Sequence, residues 1–406
     1  MVSKQKRIEV ISETPLFSQL SSEQLQKLAP VFKVRELSDR EVICTEGETE
    51  DYLAVVVQGE LLIQVSGSGG EQTIVSRRKP GQAVGEMGCL DPSARSATVR
   101  ANGPAEVLVL TRSMLDSLKD NSPELFSRVV RGIAYRLAEM LDDTNALISE
   151  LLNVSNPPPQ VDQPDMATLH RQVSEGQMFD PVEEEMKLPA TGSLTKLSEA
   201  EREALRLFTQ GRRYEPGEVI CVEGEPAKEA YFLVDGQIEV LRSIRGTNYR
   251  MAIIAEGGVL GQRALLREGT RSASLRAGPD GTTLFALSRK RFEVLLKAES
   301  KLGVGFQEAV TISGIRQLRR ANEVAAYLGA RPQRQQLPMG QQQGLESSYD
   351  SGDSVEERIR RLRQSEVDEA EEVESLANAY LQTALEDWDV TPSELSNIEI
   401  VEVEEE

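Results

Sequence analysis

The chain has 406 residues, with 39% hydrophobic and 4% aromatic residues, 46 Lys and Arg against 66 Asp and Glu, and a formal net charge of −20. That length implies two or three domains, and the acidic balance argues against unspecific attraction to nucleic-acid backbones or anionic lipid. Three scattered cysteines, Cys44, Cys89 and Cys221, show no CxxC spacing, and apolar runs such as Leu53 to Val57 are too short to span a bilayer, so no disulfide scaffold, zinc site or membrane segment is expected and the cytoplasm is the expected setting.

In chain order, a helix is predicted from Ser22 to Leu28, opened by serine cap chemistry. Short β-branched runs cut by Gly, Pro, Asp and Asn follow: EVIC from Glu41, YLAVVV from Tyr52, ELLIQV from Glu60, TIVSR from Thr73, SATVRA from Ser96 and AEVLVL from Ala105. Such a series predicts an all-β barrel or roll. Pro123, suited to a first helical turn, then starts a helix that runs to about Asn153. Phe126, Val130, Ile133, Leu137, Met140, Thr144, Leu147 and Leu151 recur at alternating steps of four and three, a heptad seam with one polar interruption. Packing on its own roll accounts for the first half. The second half projects beyond one domain, so a homodimer through helix 122–153 stands as the alternative.

Residues 154–193 are Pro-, Gln- and Glu-rich and read as a linker with room for a short docking element. A second capped helix opens at Ser198, and a second series of strands carries on to about residue 330. A Gln/Gly/Ser/Asp-rich linker is expected at 331–353, then an acidic tail at 354–406 with a helix from Val355 to about Leu385. The expected domains are therefore 1–153, a roll with its long closing helix, and 194–330, a second roll. The fold class is mainly β with flanking helices, two tandem β-rolls of the double-stranded β-helix or jelly-roll type.

Two rolls follow from an internal repeat. Glu41-Val42-Ile43-Cys44-Thr45-Glu46-Gly47-Glu48 returns as Glu218-Val219-Ile220-Cys221-Val222-Glu223-Gly224-Glu225, Gly59 returns as Gly236, and Arg95-Ser96-Ala97-Thr98-Val99-Arg100-Ala101 returns as Arg271-Ser272-Ala273-Ser274-Leu275-Arg276-Ala277. The period is too long for a solenoid and suits duplication of a whole domain.

Between these landmarks lies a chemically suggestive cassette, Gly85-Glu86-Met87-Gly88-Cys89-Leu90-Asp91-Pro92-Ser93-Ala94-Arg95-Ser96-Ala97. A planar guanidinium at Arg95, with backbone N–H groups of a glycine-led turn, suits a cyclic phosphodiester, which bears one negative charge on two free oxygens. Glu86 can accept from a ribose hydroxyl, and Ser96 can donate to phosphate. An isolated arginine on a roll is usually a surface charge; its setting between this turn and a strand favours the binding role.

On these motifs both rolls resemble the cyclic-nucleotide-binding domain shared by catabolite activator proteins and the regulatory subunits of cyclic-AMP-dependent protein kinase. The resemblance covers about Pro15 to Glu150 and Leu194 to Leu328. It implies that Glu86 binds ribose, that Arg95 binds the cyclic phosphate, that Gly85, Met87, Ser96 and Ala97 line the cassette, and that a helix after the roll closes over the base, with Tyr135 a candidate lid. Cyclic AMP and cyclic GMP both remain open as ligand.

The second roll carries Gly261, Gln262, Arg271 and Ser272 at the matching places. Replacing the glutamate by glutamine forfeits charge assistance, about 1 kcal/mol, so a weaker second site is expected. His170 stands alone in the linker, and no metal site or catalytic triad is built around it. The expected function is a non-enzymatic cyclic-nucleotide sensor signalling to a protein partner, with the acidic tail as the docking element. Rival readings are a scaffold whose rolls no longer bind, a kinase regulatory subunit, for which no Arg-Arg-x-Ala or Arg-Arg-x-Ser segment precedes the first roll, and a transcription regulator, for which no basic helix-turn-helix is present.

Overall fold

The computed structural model describes residues 2–49, 51–66, 72–92, 95, 97–155, 165–244, 247–267 and 269–329. The expected linker at 331–353 and the acidic tail at 354–406 lie outside these residues, as does Ser96. The described residues fall into two compact units, one gathering residues up to 165 together with 242–251 and those from 310 on, the other residues 166–241 and 252–309.

The first unit begins with α1 (Lys4–Glu13) and α2 (Ser22–Leu28) and continues through β1 (Lys33–Leu37), β2 (Val42–Cys44), β3 (Tyr52–Gln58), β4 (Leu61–Ser66), β5 (Gln72–Arg78), β6 (Ala83–Val84), β7 (Thr98–Ala101) and β8 (Ala105–Thr111) to α3 (Arg112–Asn121) and α4 (Pro123–Ser155). The serine that caps α2 is Ser21, one residue before the expected one; its side chain accepts from Gln24 N and the Gln24 side chain reciprocates. Two four-stranded antiparallel sheets form, in the orders β1-β8-β3-β6 and β2-β7-β4-β5, and neither closes into a barrel. Ala54 and Val56 of β3 face the roll interior with Leu37, Ile63, Val99 and Val107. The alternate residues Leu53 and Val55 are equally buried, on the face against which α1 packs. Covering both faces explains why this strand reads as an unbroken apolar run.

Helix α4 carries the heptad seam. Phe126, Val130, Ile133 and Leu137 are buried as expected. The distal half departs from the sequence expectation, because Leu147, Ile148 and Leu151 pack with Tyr249, Met251, Ala321, Val324 and Ala325 inside the same unit. Arg242 fastens this contact, donating to the Asn145 carbonyl at 2.9 Å and to Ser149 Oγ at 3.1 Å. Two distant stretches of the chain thus cover the apolar stripe for which a homodimer stood as the alternative.

The second unit takes in α5 (Met166–Arg171), β9 (Gln177–Phe179), α6 (Glu199–Arg206), β10 (Gln210–Tyr214), β11 (Val219–Cys221), β12 (Glu229–Ile244), β13 (Thr247–Ile254), β14 (Val259–Leu260), α7 (Gln262–Leu266), β15 (Ser274–Ser288), α8 (Arg289–Lys297) and the start of α9 (Lys301–Gly329), with β12, β13 and α9 continuing into the first unit's share. Ser198 caps α6 in a reciprocal box with Glu201. Here β12 and β15 run unbroken for 16 and 15 residues, and register shifts near Asp235 and Gly236 let them serve both layers of one seven-stranded sheet. Part of the expected linker is built into this sheet: β9 pairs antiparallel with β10, and Val173 bridges to Val219.

Candidate functional site

The two EGE turns explain why the repeat is where it is. Each contains a glycine in the left-handed region, Gly47 at φ 81° and Gly224 at φ 88°. Each turn holds the cassette arginine by its backbone. Gly47 N donates to the Arg95 carbonyl at 2.9 Å and Arg95 N donates to the Glu48 carbonyl at 2.9 Å; Gly224 N donates to the Arg271 carbonyl at 2.9 Å and Arg271 N to the Glu225 carbonyl at 2.8 Å. The next strand adds a further tie, from Glu46 N to Thr98 Oγ1 and from Glu223 N to Ser274 Oγ. Both arginines are therefore set by main-chain pairs to a turn far away in sequence.

In the first roll the guanidinium is aimed by two contacts with Tyr52. Arg95 Nη2 donates to the Tyr52 carbonyl at 2.6 Å, and its Cζ lies 5.2 Å from the centroid of the Tyr52 ring. Gly85, at φ 84°, leaves room for it: a Cβ there would stand 2.6 Å from Arg95 Nη1 and 2.5 Å from the Tyr52 carbonyl. Glu86 and Met87 follow in a turn closed by Cys89 N to Gly85 O and Asp91 N to Met87 O. Glu86 and Arg95 are half-buried, and no hydrogen bond or ion pair engages Glu86 among the described residues. Ala97, half-buried, packs on the roll core. The Arg95 guanidinium thus stands against Gly85 at the head of the turn that carries Glu86, and both residues keep partial solvent exposure.

The second roll keeps the arginine and changes what surrounds it. Arg271 is only 6% exposed and Gln262 2%. Gly261, at φ 77°, again makes way for Arg271 Nη1, which has no hydrogen-bond partner among the described residues. Arg271 Nη2 donates to the Tyr231 hydroxyl at 3.2 Å, and its Cζ lies 5.1 Å from that ring's centroid. Burial pushes the Tyr231 phenol well above its ordinary pKa, so it stays a neutral hydroxyl against the cation. Glu229 Oε2 accepts from the Tyr231 hydroxyl, and Glu229 Oε1 pairs with Arg212 at 2.6 Å. Ser272 is half-buried beside this network.

The cysteines play no visible chemical part. Cys44 and Cys221 are buried core residues at equivalent strand positions. Burial raises the Cys89 thiol to about 12 and the Cys221 thiol to about 11, which leaves neither as a thiolate near neutrality. His170, on α5, lies 3.5 Å from Glu225, and no group of three metal-ligating side chains occurs among the described residues. Tyr135 is half-buried on α4. No described helix is long and apolar enough to cross a membrane.

The residue pattern did not point to Tyr52 or Tyr231 as shelves for the arginines. A tyrosine at the head of YLAVVV and one at the head of YFLVDG were the available signals, but they occupy different registers, so aligning the repeats does not pair them. Arg319, which holds Asp91 at the far end of the cassette turn, had no sequence signal at all.

A sequence profile of the cyclic nucleotide-binding domain matches residues 34–122 and again 211–299. The cGMP-dependent protein kinase egl-4 of Caenorhabditis elegans is 24% identical over 297 residues, 72% of this chain and 30% of that kinase. A cAMP-dependent protein kinase regulatory subunit of Mycosarcoma maydis is 29% identical over 96 residues, 24% of this chain and 18% of that subunit. The chain thus spans less than a third of the length of these curated relatives. Among solved structures, the regulatory domain of Toxoplasma gondii PKA, crystallised with cAMP, is 18% identical, with 72% of this chain and 91% of that one covered at a TM-score of 0.26. Two profile matches, falling on two rolls that repeat one backbone grip around one arginine, make residues 34–122 and 211–299 two cyclic nucleotide-binding domains in tandem.

Proposed function

We propose that this chain is a cyclic-nucleotide sensor whose ligand occupies the first roll. The observation that carries the reading is the placement of Arg95: main chain locked to the EGE turn and guanidinium aimed past Gly85, the glycine that leads into Glu86. Arg95 with the cassette backbone neutralises a monoanionic cyclic phosphate, and Glu86 takes the ribose hydroxyl. In the same proposal Ser96 donates to the phosphate and Ala97 lines the cassette.

In the second roll Tyr231 already satisfies one arm of Arg271, and Gln262 brings no charge. Gly261, Gln262, Arg271 and Ser272 therefore form the weaker site. The non-catalytic role and the protein partner belong to the same proposal: a change at the first cassette passes to its flanking helices and on to a partner, with the acidic segment at 354–406 suited by its charge to a basic surface. The intrachain cover over the distal half of α4 favours a monomer over a coiled-coil homodimer.

Titration calorimetry with cyclic AMP and cyclic GMP tests the site. The wild type should bind at least one of them with one strong site per chain, Arg95→Ala should weaken it by about 30-fold or more, about 2 kcal/mol, and Arg271→Ala should leave the strong site unchanged. Equal heats from wild type and Arg95→Ala would refute the assignment.

A further inference from the structure

The turn from Gly85 to Asp91, which carries Glu86, is closed internally by few hydrogen bonds. A short turn of this kind ends with main-chain carbonyls that it cannot satisfy itself. Two guanidinium groups from elsewhere supply the missing donors. Arg112 Nη1 donates to the Leu90 carbonyl at 2.7 Å. Arg319, on the part of α9 that belongs to the first unit, donates through Nη2 to the Asp91 carbonyl at 2.7 Å and through Nη1 to Asp91 Oδ2 at 2.5 Å.

This second grip is partly sheltered, with side-chain exposures of 18% for Arg319 and 16% for Asp91. Sheltered charge pairs of fork geometry are stronger and more directional than exposed ones. Arg316 approaches the same carboxylate only to 3.8 Å and is 43% exposed. One turn further along α9, Asn322 accepts from Thr144 Oγ1 of α4, and Ala321, Val324 and Ala325 lie on the distal seam. The helix that delivers Arg319 is therefore itself seated.

We propose that Arg319 is a positioning residue for the ligand site of the first roll: by holding both the carboxylate and the carbonyl of Asp91, it fixes the Gly85–Asp91 turn in the shape that presents Glu86, so that affinity in the first roll depends on the seating of α9. Arg319 touches no ligand in this scheme; it acts by preorganisation. Linkage then requires the reverse effect, ligand in the first roll strengthening the seating of α9 by the same factor. The inference rests on the proposed nucleotide site, and the test separates the two.

Calorimetry on the full chain compares wild type, Arg319→Ala, Asp91→Asn, the double variant and Arg316→Ala. Arg319→Ala should weaken cyclic-nucleotide binding by about 5–20-fold. Asp91→Asn should weaken it less, since the main-chain carbonyl still accepts, and the double variant should be no worse than Arg319→Ala alone. Arg316→Ala should stay within about twofold of wild type. Hydrogen exchange supplies a readout independent of ligand: the amides of residues 86–91 should exchange faster in Arg319→Ala, while those of β3 stay as protected as in wild type. Wild-type affinity in Arg319→Ala, or additive losses in the double variant, would overturn the proposal and leave the nucleotide site standing. If the wild type binds neither nucleotide, the site assignment fails, and exchange at residues 86–91 alone decides the grip: faster exchange upholds it and unchanged exchange overturns it.

Discussion

Ala54 and Tyr231 stand at the same register of equivalent strands, opposite Val84 and Leu260, the residues that lead into the two cassette glycines. In one roll that position is a methyl group and the arginine is half-buried. In the other it is a phenol that stacks on the arginine and accepts from it. Ala54→Tyr should therefore copy the second roll's condition into the first and reduce cyclic-nucleotide binding below detection in calorimetry. Overpacking costs about 1–3 kcal/mol, so a thermal melt must show the variant folded. Conversely, Tyr231→Phe should lower the stability of the second unit by about 1–2 kcal/mol, since it strips a hydrogen bond from a buried cation; an unchanged melting profile would count against the contact.

Gly85→Ala tests the cradle from its floor. The new Cβ would stand too close to the Tyr52 carbonyl and to Arg95 Nη1 in a left-handed backbone conformation that alanine resists. The expected result is loss of nucleotide affinity by about tenfold or more with the fold retained, read by calorimetry beside circular dichroism. Retained affinity would mean that the guanidinium does not approach the turn in solution.

A glycine far from the cradle should behave against the usual rule for helices. Replacing a mid-helix glycine by alanine ordinarily stabilises by about 1 kcal/mol. At Gly132 of α4 the added Cβ would collide with the Leu16 carbonyl of the 3-10 turn Pro15–Phe17. Gly132→Ala should therefore lower the melting temperature, and a raised one would show that the two segments are not in contact.

The thiols give a pH prediction. Burial lifts Cys89 to about 12 and Cys221 to about 11, whereas an unfolded thiol ionises near about 8.5. Folded values above the unfolded one mean that the protonated thiol is favoured by folding. Their contribution is complete below about pH 8.5 and is lost as pH rises toward the folded values. Stability measured by urea unfolding should fall between about pH 9 and 11, by less in Cys89→Ala than in wild type after allowing for the cavity. A thiol reagent at pH 8 should find no reactive cysteine in the native chain and all three after unfolding.

The sequence made the two rolls legible because their landmarks are local and duplicated: left-handed glycines in the EGE turns, alternating strands, serine caps and the arginine ahead of a β-branched strand. Glu86, Gly85 and Arg95 could be nominated because they lie within one cassette, and the structure sets Arg95 against Gly85. What escaped is what depends on distant pairing. Tyr231 shows only as an aromatic at a strand head until the register sets it opposite Leu260 and under Arg271. Tyr249, Met251, Ala321 and Val324 gave no hint that they would cover Leu147 and Leu151, and β9 was hidden because three residues, Gln177–Phe179, make too short a run to be seen in a proline- and glutamate-rich stretch.

The backbone pairs between Gly47 and Arg95 carry a consequence for dissection of the protein. The cassette does not hold its own arginine; the peptide groups that do so are made about four dozen residues earlier on the chain. A fragment starting at β4 would retain every side chain proposed to meet the ligand, and it should be inert, because nothing would remain to tell the guanidinium where to point. Competence for small-molecule recognition should accordingly arise in one step during refolding, when the two ends of the roll close, rather than grow in gradually as the cassette forms.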